Sequence, residues 1–190
     1  MPTFGGWLES PGDGEDCSLH HGSVSCVKTL SRRTRMTTYL SQEDIFHRYF
    51  EEFGDGIEPS DENLETVREF LLEKWRDRAA ERGADAESLP TCLADSCKFS
   101  ALFGSVVFGA DIAGNYDHVF NMIDGEVFDI NAEASDVRGR RGIHRHDPEF
   151  IGSCELRQSL KDCRERVGDW LRDFAVVYAR KKSAGAGHRP

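Results

Sequence analysis

The feature that most constrains the fold of this chain is a change of hydrophobic period within residues 96–131. Before Gly109, apolar residues recur with the spacing of one helix face, and after it the sequence reads as extended strands. Asp124-Gly125 is a strong signal for the two-residue turn of a β-hairpin. A helix followed directly by an antiparallel hairpin predicts an α+β fold, in which the helix packs on a small antiparallel sheet.

Two further helices are predicted before this stretch and one long helix after it. Ser41 and Ser60 are typical N-cap residues, and Gly54 and Gly83 are natural ends for the helices that they begin. The last helix is predicted from Ser153, because the apolar residues that follow it line a single face: Leu156, Leu160, Cys163, Val167, Leu171, Phe174 and Tyr178. The order is therefore helix, helix, helix, strands, helix.

The length of the chain, 190 residues, suits one domain with one hydrophobic core. We predict that residues 36–180 form this domain. Residues 1–35 are rich in Gly, Ser, His and Arg without a sustained period, which predicts a disordered segment or an extension. Residues 181–190 are predicted to be a flexible tail.

The net charge and the cysteine content limit which partners and which cellular compartment we expect for this protein. A net charge of −10 repels phosphate backbones, so we expect no nucleic-acid partner. No apolar run approaches the length of a membrane span, and the first residues lack the features of a secretory signal, so we expect a cytoplasmic protein with no membrane partner. In that compartment the six cysteines are expected to be reduced thiols.

The hairpin turn sets the register of the residues beyond it. With Asp124-Gly125 as the two turn residues, His118 is predicted opposite Asn131, and Asp129 is its diagonal neighbour on the same face. A carboxylate at Asp129 would fix the orientation of the His118 imidazole, and the Asn131 amide could do the same. The plainer interpretation is a polar pair on a half-exposed sheet face.

Cys97 is predicted in the first turn of the helix that precedes the hairpin, with Asp95 or Ser96 as its N-cap. The N–H groups and the positive dipole end of a helix stabilise a thiolate, which is the nucleophilic form of cysteine. The plainer interpretation is a buried cysteine that acts as a small hydrophobic residue.

The order of these residues is similar to that of a known family. Cys-x-x-Ser-Ala-Leu from residue 97, Phe-Gly-x-x-Ile from residue 108 and His-x-x-Asn-x-Ile-x-Gly-x-x-x-Asp-Ile from residue 118 resemble the YunG-like group of small bacterial proteins. The resemblance implies a papain/transglutaminase-like core with a Cys-His-Asp triad. It would make Cys97 the nucleophile, His118 the general base and acid, and Asp129 the residue that orients His118.

Two features depart from the pattern of that family. A papain-type oxyanion hole uses a glutamine upstream of the cysteine, and none lies there, so the Cys97 backbone N–H would need help from Ser96 or Thr91. Asp95 also places a negative charge near Cys97, which opposes thiolate formation. The alternative to a thiol hydrolase or acyltransferase is therefore an inactive papain-like fold that serves as a protein-interaction module.

A basic loop follows the hairpin. Arg138, Arg140 and Arg141 are predicted to lie in it, either as a solvated surface or as a contact for a substrate or partner. His144 and His146 raised the alternative of a metal site, but thiol chemistry requires no metal and no cofactor, so neither is expected. The expected substrate is a protein, a peptide or a small carboxamide.

Overall fold

The computed structural model of the protein describes residues 39–46 and 50–186, all of which belong to one compact unit. The prediction made for residues 1–35 lies outside the described residues. No helix within these ranges has both the length and the apolar character that a lipid bilayer crossing requires.

The described residues form helices and one small sheet, joined by turns and loops. The three strands pair in an antiparallel sheet in their order along the chain, so the α+β prediction is confirmed. The elements are, in chain order, α1 (Gln42–Phe46), α2 (Asp61–Glu81), α3 (Cys97–Val107), β1 (Asp111–Gly114), β2 (Val119–Ile123), β3 (Glu126–Phe128), α4 (Pro148–Gly152) and α5 (Cys154–Ala186).

The hairpin between β2 and β3 has the predicted turn. Asp124 and Gly125 have φ angles of 53° and 85°, as a two-residue turn that follows the twist of the strands requires. Ile123 pairs with Glu126, which confirms the register that this turn predicts. The ladder ends at Phe128, however, so the predicted pairing of later residues with the start of β2 does not occur as strand pairing.

The first predicted helix is shorter than expected. Ser41 and Asp44 cap α1 reciprocally, since the Ser41 N–H donates to the Asp44 carboxylate at 2.8 Å. The prediction that this helix continues to Gly54 is wrong for residues 50–54. Phe50 and Phe53 are buried in the core there and are joined by a turn, from the Phe53 N–H to the Phe50 carbonyl at 3.2 Å. Burial of these two rings outweighs the local helical pattern.

The last predicted helix carries the core on one face, as expected. Six of the seven apolar residues that define this face are buried and Tyr178 is half-buried. The helix continues to Ala186, so residues 181–186 are helical, and the flexibility predicted for residues 181–190 stays a prediction. The short helix α4, which the sequence did not predict, begins at Pro148 with the Asp147 side chain as its cap.

Helix α3 lies in the centre of the fold, where it contacts both α5 and β2. The Asn121 side-chain amide of β2 donates to the Ala101 carbonyl of α3 at 2.9 Å. A Cβ atom at Gly104 would meet the Asn121 side chain and would lie 2.8 Å from Cδ1 of Ile130. Glycine at position 104 therefore permits α3 to approach the hairpin closely.

Candidate active site

A buried group of hydrogen bonds fixes the start of α3, where Cys97 is the first residue. Ser96 occupies the N-cap position, but its hydroxyl donates to the Leu93 carbonyl at 2.7 Å and makes no side-chain cap bond. The Asn131 amide donates to the same Leu93 carbonyl at 2.8 Å and to the Ser96 hydroxyl at 3.0 Å. The residues after β3 thereby hold the helix start in place.

Asp95, the other predicted cap, turns the chain into the helix. Its φ angle of 62° lies in the left-handed region, which aspartate tolerates better than most side chains. Its backbone N–H donates to the Asp136 carboxylate at 2.9 Å. The Asp95 side chain is exposed, so solvent screens its charge from the Cys97 thiol.

His118 and Asp129 form a direct buried contact. His118 comes just before β2 and Asp129 just after β3, so the hairpin brings them together. His118 Nε2 lies 2.9 Å from Asp129 Oδ2, and both side chains are almost fully excluded from solvent. Of the two predicted orienting residues, Asp129 is the one bonded to the His118 ring, and the Asn131 side chain is engaged at the start of α3.

The contacts of His118 change its affinity for protons. Burial lowers the pKa of His118, but hydrogen bonds to the Asp129 and Cys97 side chains, together with their charges, outweigh burial and raise the pKa to about 9. Since Nε2 faces Asp129, Nδ1 is the ring nitrogen left for Cys97. At neutral pH the His118 ring is therefore charged.

Asp129 is held as an anion in spite of its burial. Burial raises the pKa of Asp129, but hydrogen bonds from His118, His144 and the Asn131 backbone N–H, with the charge of His118, lower the pKa overall. The Asn131 N–H lies 2.9 Å from Asp129 Oδ1. An ionised carboxylate only accepts hydrogen bonds, so the His118 nitrogen that faces it carries a proton.

Sequence reasoning missed His144 as a member of this site. His144 Nε2 lies 2.8 Å from the same Asp129 Oδ2, and its side chain is 32% exposed. His146, its predicted companion in the alternative metal site, instead stacks on Tyr39 with ring centroids 4.8 Å apart. No sequence period could place His144 here, because a loop rather than a helix or strand carries it.

Three side chains of the site have donor atoms of the kind that bind metal ions. The ligand atoms of His118, Asp129 and His144 lie within 4.8 Å of one another, and they are the one such group among the described residues. The two histidine–carboxylate separations match N–H···O hydrogen bonds. Hydrogen bonding therefore accounts for this group without an ion.

The two predicted oxyanion-hole donors differ in their surroundings. The Ser96 hydroxyl is buried and its proton is donated to the Leu93 carbonyl. Thr91 is exposed and lines a cleft of about 590 Å³ together with Arg78, Cys92 and Asp95. The backbone N–H of Cys97 is a further donor at this point, since the first N–H groups of a helix have no partner within it.

The predicted basic loop is on the surface. Arg138, Arg140 and Arg141 are exposed. Arg138 lies 3.7 Å from Glu133, and Arg140 lies 4.0 Å from Asp117, the residue beside His118. The loop therefore borders the site through Arg140, and such exposed ion pairs add little to stability.

Comparison with known proteins found no family model, no curated protein and no solved structure that matches this chain. The resemblance seen in the sequence stays a prediction.

Proposed function

We propose that this protein is a cysteine-dependent hydrolase or acyltransferase that acts on a peptide or carboxamide bond through a thioester. One observation carries the proposal: the buried His118 ring is bonded to an ionised Asp129 at 2.9 Å, and a hydrogen bond to Cys97 and its charge help to raise the pKa of the same ring. A nucleophile, a base within reach of it and a third group that orients the base are the parts that nucleophilic acyl transfer requires.

The reaction would begin from a Cys97 thiolate beside a protonated His118. The thiolate sulfur attacks the carbonyl carbon, and the carbonyl electron pair moves to oxygen. As the intermediate collapses, the C–N bond breaks and His118 gives its proton to the leaving nitrogen. Water or an amine then attacks the thioester, and His118 takes a proton from it. The C–S bond breaks, the acyl product departs and Cys97 is again a thiolate beside a protonated His118.

The negative oxygen of the intermediate requires nearby donors. The Cys97 N–H and the positive end of α3 supply the first of them. Peptidase, deamidase and transamidase reactions share these steps and differ in the group that attacks the thioester. The papain/transglutaminase-like core is part of the proposal, supported by a cysteine-bearing helix that packs on an antiparallel sheet next to the histidine and aspartate.

A second candidate is a non-catalytic interaction module with the same fold. One observation favours it: the Ser96 hydroxyl and the Asn131 amide, which could have completed an oxyanion hole, are both bonded within the protein. The exposed arginines of the basic loop would then contact an acidic partner.

Alkylation of Cys97 tests the proposal without knowledge of the substrate. The wild type and the His118→Ala variant are treated with iodoacetamide at pH 6, and labelling of each cysteine is followed by peptide mass spectrometry. We expect Cys97 to label rapidly in the wild type and at least about tenfold more slowly in the variant, because the charged imidazole no longer favours the thiolate.

Two other cysteines decide how the labelling result is interpreted. Hydrogen bonds from the Ser135 backbone and hydroxyl lower the pKa of Cys92, so fast labelling of a cysteine alone is not diagnostic and dependence on His118 is required. Burial raises the pKa of Cys163 to about 11, which makes it an unreactive internal reference in the folded protein. Equal labelling of Cys97 in both proteins would rule out the thiol mechanism and favour the interaction module.

A further inference from the structure

The Asp129 carboxylate accepts a second histidine that the proposed mechanism does not use. We propose that His144 is a positioning residue of this site, which fixes the Asp129 carboxylate in the orientation that holds His118. This inference rests on the proposed function, because it assigns the group that keeps His118 in place for Cys97.

Three donors from separate parts of the chain fix both oxygens of Asp129. His118 and His144 donate to Oδ2 at 2.9 and 2.8 Å, and the Asn131 backbone N–H donates to Oδ1 at 2.9 Å. With both oxygens engaged, rotation of the carboxylate would break at least one bond in a site where its side chain is only 4% exposed. Breaking a buried, charge-assisted hydrogen bond is costly, so the carboxylate stays in one orientation.

One asparagine side chain forms hydrogen bonds with the backbone around both histidines. The Asn115 amide donates to the carbonyls on either side of His144, those of Ile143 at 2.8 Å and Arg145 at 2.7 Å. Its side-chain oxygen accepts the backbone N–H of His118 at 3.2 Å. The loop that carries His144 is therefore attached to the segment that carries His118.

The two imidazole rings also share an aromatic neighbour. His118 stacks on Phe120 with ring centroids 6.0 Å apart, and His144 meets the same ring edge-on at 5.2 Å. The His118 and His144 rings themselves pack at 5.7 Å with 67° between their planes. These contacts leave each ring little freedom to turn away from Asp129.

Two substitutions separate the hydrogen bond of His144 from its volume. The His144→Gln variant places an amide nitrogen where it can donate to Asp129, whereas the His144→Phe variant keeps a ring and removes the donor. The measurement is an NMR titration of the His118 ring in the full chain labelled with ¹⁵N-histidine, with the resonance assigned by its absence from a His118→Gln variant.

We expect the pKa of the His118 ring to depend on a hydrogen-bond donor at position 144. In His144→Phe the His118 pKa should fall by about one pH unit or more from its value of about 9, because the Asp129 carboxylate loses one of its three donors and is held less firmly against the buried ring. In His144→Gln it should stay within about 0.3 of the wild-type value. An unchanged His118 pKa in His144→Phe, or an equal fall in both variants, would overturn the inference.

Two further measurements cover the remaining outcomes. In the wild type, a His144 Nε2–H resonance that exchanges slowly with water supports the donor role, and rapid exchange contradicts it, whether or not the variants fold. One equivalent of bound metal in the purified wild type, lost from His144→Phe, would also overturn it. The proposed function is judged separately, by Cys97 alkylation, so a positive titration with inert Cys97 would keep the positioning role and reject the thiol reaction.

Discussion

At the scale of single residues, the chemistry of this protein concentrates at Asp129. A carboxylate buried without partners would be protonated, but the donors around Asp129 keep it ionised. Its charge in turn raises the pKa of His118, to which Cys97 also contributes. Asp129 and Cys97, which lie 32 positions apart in the chain, thereby act on a single imidazole ring.

The raised pKa of His118 predicts how stability depends on pH. A histidine with a pKa of about 9 in the folded protein and about 6.5 in the unfolded chain contributes stability that is complete below pH 6.5. The contribution is lost as pH rises through about 9. We expect it to reach at most about 3 kcal/mol, since each pH unit of difference is worth 1.36 kcal/mol.

Urea unfolding of reduced protein at pH 6 and pH 9.5 measures this loss. The His118→Gln variant is the control, because Cys163 and other groups that titrate in this range remain in both proteins. We expect the wild type to lose more stability than the variant between these pH values. Equal losses would show that His118 is not linked to Asp129 and Cys97 in the folded state.

At the scale of helices and strands, the site depends on how closely α3 approaches β2. Helix α3 begins with Cys97, and β2 begins just after His118, so the distance between these elements sets the distance between the two side chains. Gly104 and the amide of Asn121 lie at this contact. A glycine inside a helix reduces helix stability, and here the close approach of the sheet explains its presence.

The Gly104→Ala substitution tests this contact. The added methyl group would meet Asn121 and Ile130, both buried, so α3 would have to move from the sheet. We expect a loss of about 1–3 kcal/mol in urea unfolding, even though alanine is the better helix former. Labelling of Cys97 should also slow as its distance from His118 increases.

Gly152→Ala is the matched control for that substitution. Gly152 lies in α4, its φ angle is not positive, and no atom lies within 4 Å of a Cβ built there. We expect the free energy of unfolding of the Gly152→Ala variant to differ from that of the wild type by less than about 0.5 kcal/mol. If Gly104→Ala raised the free energy of unfolding, the close contact between α3 and the sheet would be contradicted.

At the scale of the whole molecule, aromatic rings from several elements meet behind the site. Phe174 of α5 is fully buried, and its ring contacts four others. Its neighbours are Phe53, Phe70, Phe103 and Tyr178, with ring centroids between 5.1 and 6.1 Å from its own. This cluster joins α2, α3 and α5 and so supports the helix that carries Cys97.

Removal of the Phe174 ring should destabilise the protein by about 3–5 kcal/mol, because a large cavity would remain among rings that cannot all collapse into it. Urea unfolding of the Phe174→Ala variant checks this value. Val177→Ala, at a site that is 43% exposed on the same helix, should change stability by less than about 0.5 kcal/mol. Similar losses in both variants would contradict the central position of Phe174.

The sequence by itself determined the features that depend on near neighbours in the chain. The caps at Ser41 and Ser60, the apolar face of α5 and the turn at Asp124-Gly125 follow from local hydrogen bonding and from the periods of helices and strands. The hairpin turn brought His118 and Asp129 to the same end of the hairpin, because a two-residue turn fixes the register of the strands that precede and follow it, although the strand pairing itself ends at Phe128.

Only the tertiary structure decided how loops complete the site. The contact of His144 with Asp129 and the engagement of Ser96 and Asn131 at the start of α3 join residues that no period relates. The turn at Phe50 replaces a predicted helix because Phe50 and Phe53 are buried in the core. Such contacts depend on the burial of distant side chains against one another. Local preferences are worth about 1 kcal/mol or less per residue, and burial of one large side chain exceeds that.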